Sequence, residues 1–222
     1  MLIDRQTFQN AKSVGSHRTI EGLELVRCEF VGSNLSQFDD PGLSLVVRDV
    51  TAVRCVTKRS MMGGVRFENV SVDGLKSDSY FRLDGCAFRH VTLRGRVGSL
   101  MIVPPTPSIS EELQAAFTAS IVRFYEHVDW ALDISEAEFV SADLFFLPGD
   151  LVKRDPETQY LLRRDSFTGV DLQQLPLAAA IEVGRFKSTP FDSIVAVAAK
   201  RSKHFLRTKD AFDELRAQGL AE

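Results

Sequence analysis

Four sets of residues in this 222-residue chain carry chemistry in principle. Cys28, Cys55 and Cys86 offer thiols, which act as nucleophiles or metal ligands once deprotonated. Asp133, Glu136, Glu138 and Asp143 crowd one short stretch, and paired carboxylates can divide acid and base work between them. Lys200, Arg201, Lys203, His204, Arg207 and Lys209 form a basic run that could meet phosphate. Arg94 and Arg96, with Arg54, Lys58 and Arg59, make a second, looser basic group.

Spacing weakens each chemical reading. No two cysteines form a Cys-x-x-Cys pair, and the odd count argues against a disulfide framework. The histidines, His17, His90, His127 and His204, lie far apart and in no metal-ligand spacing. No Gly-x-Ser-x-Gly elbow is present. No metal, cofactor or catalytic residue is therefore expected. A histidine without a partner set is expected to be solvated or locally bonded, His90 on an outer corner. The run at 200–209 is expected at a helix end, where positive charge suits the dipole.

The elements that would position these residues show a repeat. Leu25, Phe30 and Leu35 are followed by Leu45, Val50 and Cys55, then Val65, Val70 and Leu75, then Leu83, Phe88 and Leu93. All twelve are apolar in a chain that is 44% apolar, and within each set they stand five apart. Five matches neither the helical period nor the strand period. It fits a square coil with one inward side chain per side and about 20 residues per turn. Stacked turns would pair backbones at about 4.8 Å. The frame predicts Phe30, Val50, Val70 and Phe88 in one interior row, with loops on a fourth side near Asp40, Ser60 and Tyr80. Gly42, Gly63, Gly64 and Gly98 fall near the corners.

Here the chain resembles the pentapeptide-repeat proteins. Cys28-Glu29-Phe30-Val31-Gly32 and Cys86-Ala87-Phe88-Arg89-His90 fit that family's motif, a central Leu or Phe with a small residue two places before it. So do Ser33-Asn34-Leu35, Ala137-Glu138-Phe139 and Ala142-Asp143-Leu144. Leu43, Arg48, Val53, Glu68 and Phe81 depart from it by standing in small-residue slots. The resemblance covers about half the chain and implies a right-handed quadrilateral β-helix. It also implies that Cys28 and Cys86 are small core residues, about three turns apart.

Pro104-Pro105-Thr106-Pro107 breaks the pattern. Ser108 and Glu111 then form a capping box, opening an amphipathic helix through Leu113, Phe117, Ile121, Phe124 and Val128. Ile134, Phe139 and Leu144 restore the five-residue spacing as a fifth turn. The segment 151–162, with Asp155-Pro156 at its centre, reads as a hairpin or strand-turn-strand. Thr189-Pro190-Phe191-Asp192 predicts a helix start. A last helix from Thr208 should bury Phe212 and Leu215 and stop at Gly219. The expected organisation is a mainly β chain with helices: a β-helix solenoid of about five coils over 18–150, with a helical excursion at 105–129. A hairpin and C-terminal helices over 151–222 pack on it or cap it.

Net charge is −3 and the sequence pI is near 5.9, which argues against binding nucleic acid through overall charge. No segment reads as a leader or a membrane span, and with free cysteines this points to the cytoplasm. A rigid β-helix offers broad faces suited to another protein. The leading expectation is a non-enzymatic protein-binding or scaffold module, with an inhibitor or immunity-type partner of another bacterial protein as one form. Arg54, Lys58, Arg59, Arg94, Arg96, Lys200, Arg201, Lys203 and Arg207 are its expected contact surface, and the sequence leaves a homodimer open. Two alternatives stand beside it. One is an enzyme with a pocket between the β-helix and the C-terminal part, lined by Asp133, Asp143, Asp150 or Arg154. The other is nucleic-acid binding through 200–209.

Overall fold

The computed structural model describes residues Met1–Glu222. The chain is mainly β, with one large sheet and few helices. Short strands come first: β1 (Leu2–Asp4), β2 (Thr7–Gln9), β3 (Lys12–Val14), β4 (Arg18–Glu21), β5 (Glu24–Val26), β6 (Glu29–Val31) and β7 (Asn34–Ser36). Longer ones follow: β8 (Leu45–Lys58), β9 (Met61–Gly63), β10 (Val65–Asp84), β11 (Ala87–Arg89) and β12 (Val91–Val103).

Parallel pairing sorts these strands into four ladders. In the first, Ile3, Leu25, Ala52, Val72 and Leu93 face one another in succession. In the second the succession is Phe8, Phe30, Thr57 and Ser77. In the third it is Ser13, Leu35, Met62, Leu83 and Ile102. In the fourth it is Ile20, Val47, Phe67 and Phe88. Members of a ladder sit one tier apart, at about 4.8 Å. The rings of Phe8 and Phe30 stack at 5.0 Å, and those of Phe67 and Phe88 at 5.5 Å, each pair within 7° of parallel.

Between ladders the chain turns through left-handed residues. Positive φ occurs at Arg5, Asn10 and Gly15, then Gly22, Arg27 and Gly32. It continues at Asp49, Arg54, Arg59, Gly64, Asn69 and Gly74, and again at Gly85, His90 and Gly95. The five-residue spacing of the apolar sets is thus also the spacing of the corners.

The expected alignment holds for two of the four sets. Leu45 faces Val65, Val50 faces Val70 and Cys55 faces Leu75. Phe30, however, faces Thr57, and Phe88 faces Phe67, so the single row of Phe30, Val50, Val70 and Phe88 does not form. The loop at 37–44 makes the step from the second tier to the third 27 residues long, as Leu25 facing Ala52 shows. It is ordered by buried Gln37, whose side-chain amide donates to the carbonyls of Asp40 and Gly64 and accepts from the Asp40 N–H. The true ladder centres in the third tier are Ala52 and Thr57. Val50 and Cys55 occupy the slot two places before them, which also faces inward. Leu45, Val65 and Val70 stand likewise two places before Val47, Phe67 and Val72. Asp40 does lie in a loop, whereas Tyr80 lies within β10 and faces Ser99.

Helix α1 (Glu111–Tyr125) is capped by Ser110, whose hydroxyl accepts from the Leu113 N–H, and not by Ser108. It buries Phe117, Ile121 and Tyr125. The Tyr125 hydroxyl accepts from the Phe88 N–H at 3.2 Å, so the helix supplies β11 with a partner where a further strand would stand. The chain then rejoins the ladders. β13 (Leu132–Asp133) and β14 (Ala137–Leu144) pair parallel with β12, with Phe139 facing Val97 and Leu144 facing Ile102.

The C-terminal third departs most from expectation. β15 (Val152–Lys153) pairs parallel with β13, while β16 (Gln159–Arg163) pairs antiparallel with β17 (Ser193–Val197), so β15 and β16 make no hairpin. The segment expected to start a helix at Thr189 leads instead into β17. A short, fully apolar, β-branched run carries no helical period, and length favours a strand. The helix of this region is α2 (Leu177–Gly184), an alanine-rich segment preceded by Pro176. The last helix, α3 (Phe205–Ala217), begins three residues earlier than expected, buries Phe212 and Leu215, and ends before Gly219 in the left-handed region.

Two apolar cores result. The larger joins the ladders, α1, Leu161 and Val195. The smaller gathers Tyr160, Leu162, Ile194 and Ala196 with residues of α2 and α3. Strict alternation along β16 and β17 thus sends neighbouring side chains into different cores.

Candidate functional sites

The first candidate is the expected basic surface, which the structure divides. Arg5, Arg27 and Arg54 stand at one corner in successive tiers. Ladder pairing on either side fixes their alignment: Asp4 faces Val26, and Val26 faces Val53. Lys58 and Arg59 follow Arg54 along the second ladder, and Arg94 and Arg96 flank the same corner two tiers on at Gly95. Three of these cations are paired: Arg27 with Asp4, Lys58 with Glu29, and Arg94 with Asp73. Arg5, Arg54, Arg59 and Arg96 are exposed and make no salt bridge.

The remaining expected residues lie elsewhere. Lys200, Arg201, Lys203 and Arg207 surround the start of α3, where the helix dipole opposes positive charge. That reverses the expectation of a helix C-terminus. Lys200 is held by Asp155, and Arg201 donates to the Val97 carbonyl. Only Lys203 and Arg207 of this group lack a partner.

The expected junction carboxylates do not converge. Asp133 is bound by Ser135, Asp143 by Arg185, and Asp150 by Ser193 and Arg163, while Arg154 pairs with Glu222. Burial opposes ionisation of Asp150, but the Ser193 hydroxyl and the Arg163 guanidinium hold its carboxyl below the usual range. A small cavity of about 190 Å³ does lie at this junction, lined by Ser141, Asp143, Glu182, Ser202 and Thr208. Burial raises the Glu182 carboxyl to about 7, with Asp143 adding to the shift and Arg185 opposing it. Sequence reasoning missed Glu182 because α2 was not expected.

The thiols and histidines take local roles. All three cysteines are free and buried. Burial raises Cys55 and pushes Cys86 up to about 12, which removes thiolate at neutral pH. Cys28 has Cys55 beside it in the next tier, an alignment hidden by the slipped frame. His90 sits at a corner with positive φ, bonds Asp129 at 2.6 Å and Asn69 at 3.3 Å, and stacks on Trp130. No group of three or more His, Cys, Asp or Glu side chains is placed to hold a metal ion.

The last candidate has no counterpart in the sequence expectations. The four ladders enclose an apolar cavity of about 420 Å³, running from Ile3 and Phe8 in the first tier to Ile102 in the fifth. Leu25, Leu35, Met62, Val72 and Leu75 are only partly buried although ladder neighbours flank them. The cause is local. The second ladder replaces the stacked rings of Phe8 and Phe30 with Thr57 and Ser77, and the first ladder narrows to Ala52. Thr57 Oγ1 is buried there without a hydrogen-bond partner.

No helix is long and apolar enough to cross a membrane. No protein-family model matches this chain, and no curated protein or solved structure matches it.

Proposed function

We propose that the chain is a non-enzymatic protein-binding module built on a right-handed quadrilateral β-helix of the pentapeptide-repeat kind, acting in the cytoplasm. Support for the architecture comes from the four parallel ladders and from left-handed corners at five-residue intervals. Each ladder is one side of the coil, and each tier is one turn.

The observation that carries the binding role is the cationic corner. Arg5, Arg27 and Arg54 repeat at strand spacing on a hydrogen-bonded frame, and Arg5, Arg54, Arg59 and Arg96 are exposed and make no side-chain salt bridge. Exposed guanidinium groups without a salt bridge on a hydrogen-bonded backbone frame suit an acidic surface on another protein, since little backbone ordering is left to complete.

Co-purification from the native host tests the reading. One stoichiometric protein partner is expected, lost on joint reversal of Arg54→Glu, Arg59→Glu and Arg96→Glu and kept with Lys203→Glu and Arg207→Glu. A partner that survives the first set and is lost with the second overturns the assignment of the surface. Nucleic acid captured instead, with affinity falling steeply as salt rises, overturns the protein partner.

A further inference from the structure

We infer that the apolar cavity between the four ladders is a binding site for a straight-chain aliphatic carboxylate, entered from the first tier. The inference stands on the cavity itself and needs neither the acidic partner nor the cationic corner.

The cavity has the size and character of a small-ligand site. Its volume is about 420 Å³, and 26 of its 32 lining residues are hydrophobic. At about 30 Å³ for each water-sized group, this holds on the order of a dozen methylenes. It spans tiers one to five, a length of about 19 Å at strand spacing. A narrow, long, apolar space selects one unbranched chain over a globular ring system.

The entrance is electrically distinct. The strands of the first tier, β1 to β4, pair on one side only. Residues 1–21 hold Arg5, Lys12 and Arg18 against Asp4 and Glu21, and these two carboxylates are taken by Arg27 and Arg48 of the next tier. Arg18 donates from its guanidinium to the hydroxyl of Ser13 at 3.2 Å, and Ser13 lines the cavity. A guanidinium with no carboxylate partner therefore stands at the rim. A carboxylate there would receive a charge-assisted hydrogen bond while its chain leaves water.

The far end is backed by a further tier: Phe139 faces Val97, Leu144 faces Ile102, and Phe139, Leu144 and Phe146 are buried, as are Phe117 and Ile121 of α1. The ligand thus enters tail first, and its charged head stays at the solvated rim.

Sub-micellar dodecanoate, titrated calorimetrically into the full chain, tests the site. One equivalent should bind. Arg18→Gln should weaken dodecanoate about fivefold or more while leaving dodecan-1-ol unchanged, because only the charged head meets the guanidinium. Ala52→Leu with Thr57→Leu should fill the cavity and weaken both ligands about tenfold or more. If that double variant does not fold, Ala52→Val serves in its place. A crystal grown with 12-bromododecanoate should then place the bromine deep between the ladders, beyond the second tier. Absence of saturable binding by the wild-type chain overturns the inference. So does binding that is undiminished in a folded, filled variant, or bromine found on the outer surface.

Discussion

Single side chains set two measurable features of this molecule. Thr57 stands where the second ladder calls for a third ring, and its buried hydroxyl finds no partner. An unsatisfied buried hydroxyl costs desolvation without return. Thr57→Val keeps the shape and removes that cost, so urea unfolding should show a gain of about 1 kcal/mol. Glu182 works through pH. Its carboxyl is raised from 4.5 to about 7 by burial, next by Asp143. The folded state holds the proton more tightly than the unfolded one. Its contribution to stability is therefore fully present below pH 4.5 and is lost as pH rises through about 7. Glu182→Gln should flatten that fall. The difference in wild-type and variant stability between about pH 5 and about pH 8 should be on the order of 1–2 kcal/mol, allowing for solvent screening of a partly exposed group. A wild-type stability that rises over that interval, with no change in the variant, would show that Glu182 is ionised in the fold. Neither residue was legible as a site. Thr57 looks like an ordinary strand residue, and Glu182 matters only because α2 brings it beside Asp143.

Elements were legible where one period governs them and misread where two arrangements share a pattern. The five-residue spacing placed strands over most of 25–103, yet assigned the third tier and part of the fourth to a frame two residues early. The reason is parity. A slip of one residue would turn every side chain outward, but a slip of two keeps each on its own face. Leu45, Val50 and Cys55 point inward just as Val47, Ala52 and Thr57 do, so apolarity alone could not separate them. The corners could have, since only they need positive φ. They yield a paired test. Gly64 has φ of 62°, and a Cβ there would overlap the Gln37 carbonyl. Gly64→Ala should cost at least about 3 kcal/mol, combining left-handed strain with a backbone clash. Arg54 occupies an equivalent corner at 53° as a non-glycine residue, with no such overlap around it. Arg54→Gly should cost less than about 1 kcal/mol in either direction, because relief of strain offsets lost chain entropy. Equal losses in the two variants would mean that the corners are not the constraint. Helix α1 invites a third substitution. Tyr125→Phe leaves the buried Phe88 N–H without its acceptor, and thermal unfolding should report a loss of about 1–3 kcal/mol.

At the scale of the whole molecule, stability should be graded along the stack of tiers. Backbone pairing in the ladders joins each tier to the next, so opening can begin at one end and stop partway. The two ends differ. The first tier pairs on one side only and lies over the partly hollow interior. The last tiers are backed by α1, β14 and the second core. Three buried thiols sample the gradient in turn: Cys28 in the second tier, Cys55 in the third, and Cys86 at the step into β11. A thiol reagent reacts only with thiolate, and burial keeps Cys55 and Cys86 protonated, the latter up to about 12. Labelling therefore reports opening of the surrounding strands, not chemistry at a closed site. In variants retaining one cysteine each, labelling at about pH 8 should be fastest for Cys28, slower for Cys55 and slowest for Cys86. The spread should narrow in mild urea as global unfolding overtakes local fraying. Aliphatic carboxylate bound within the ladders should slow Cys55 most, since Cys55 lines the cavity and Cys28 and Cys86 do not. A single common rate for all three thiols in water would mean that the ladders open as one cooperative unit, with the one-sided first tier and the internal hollow exerting no local effect.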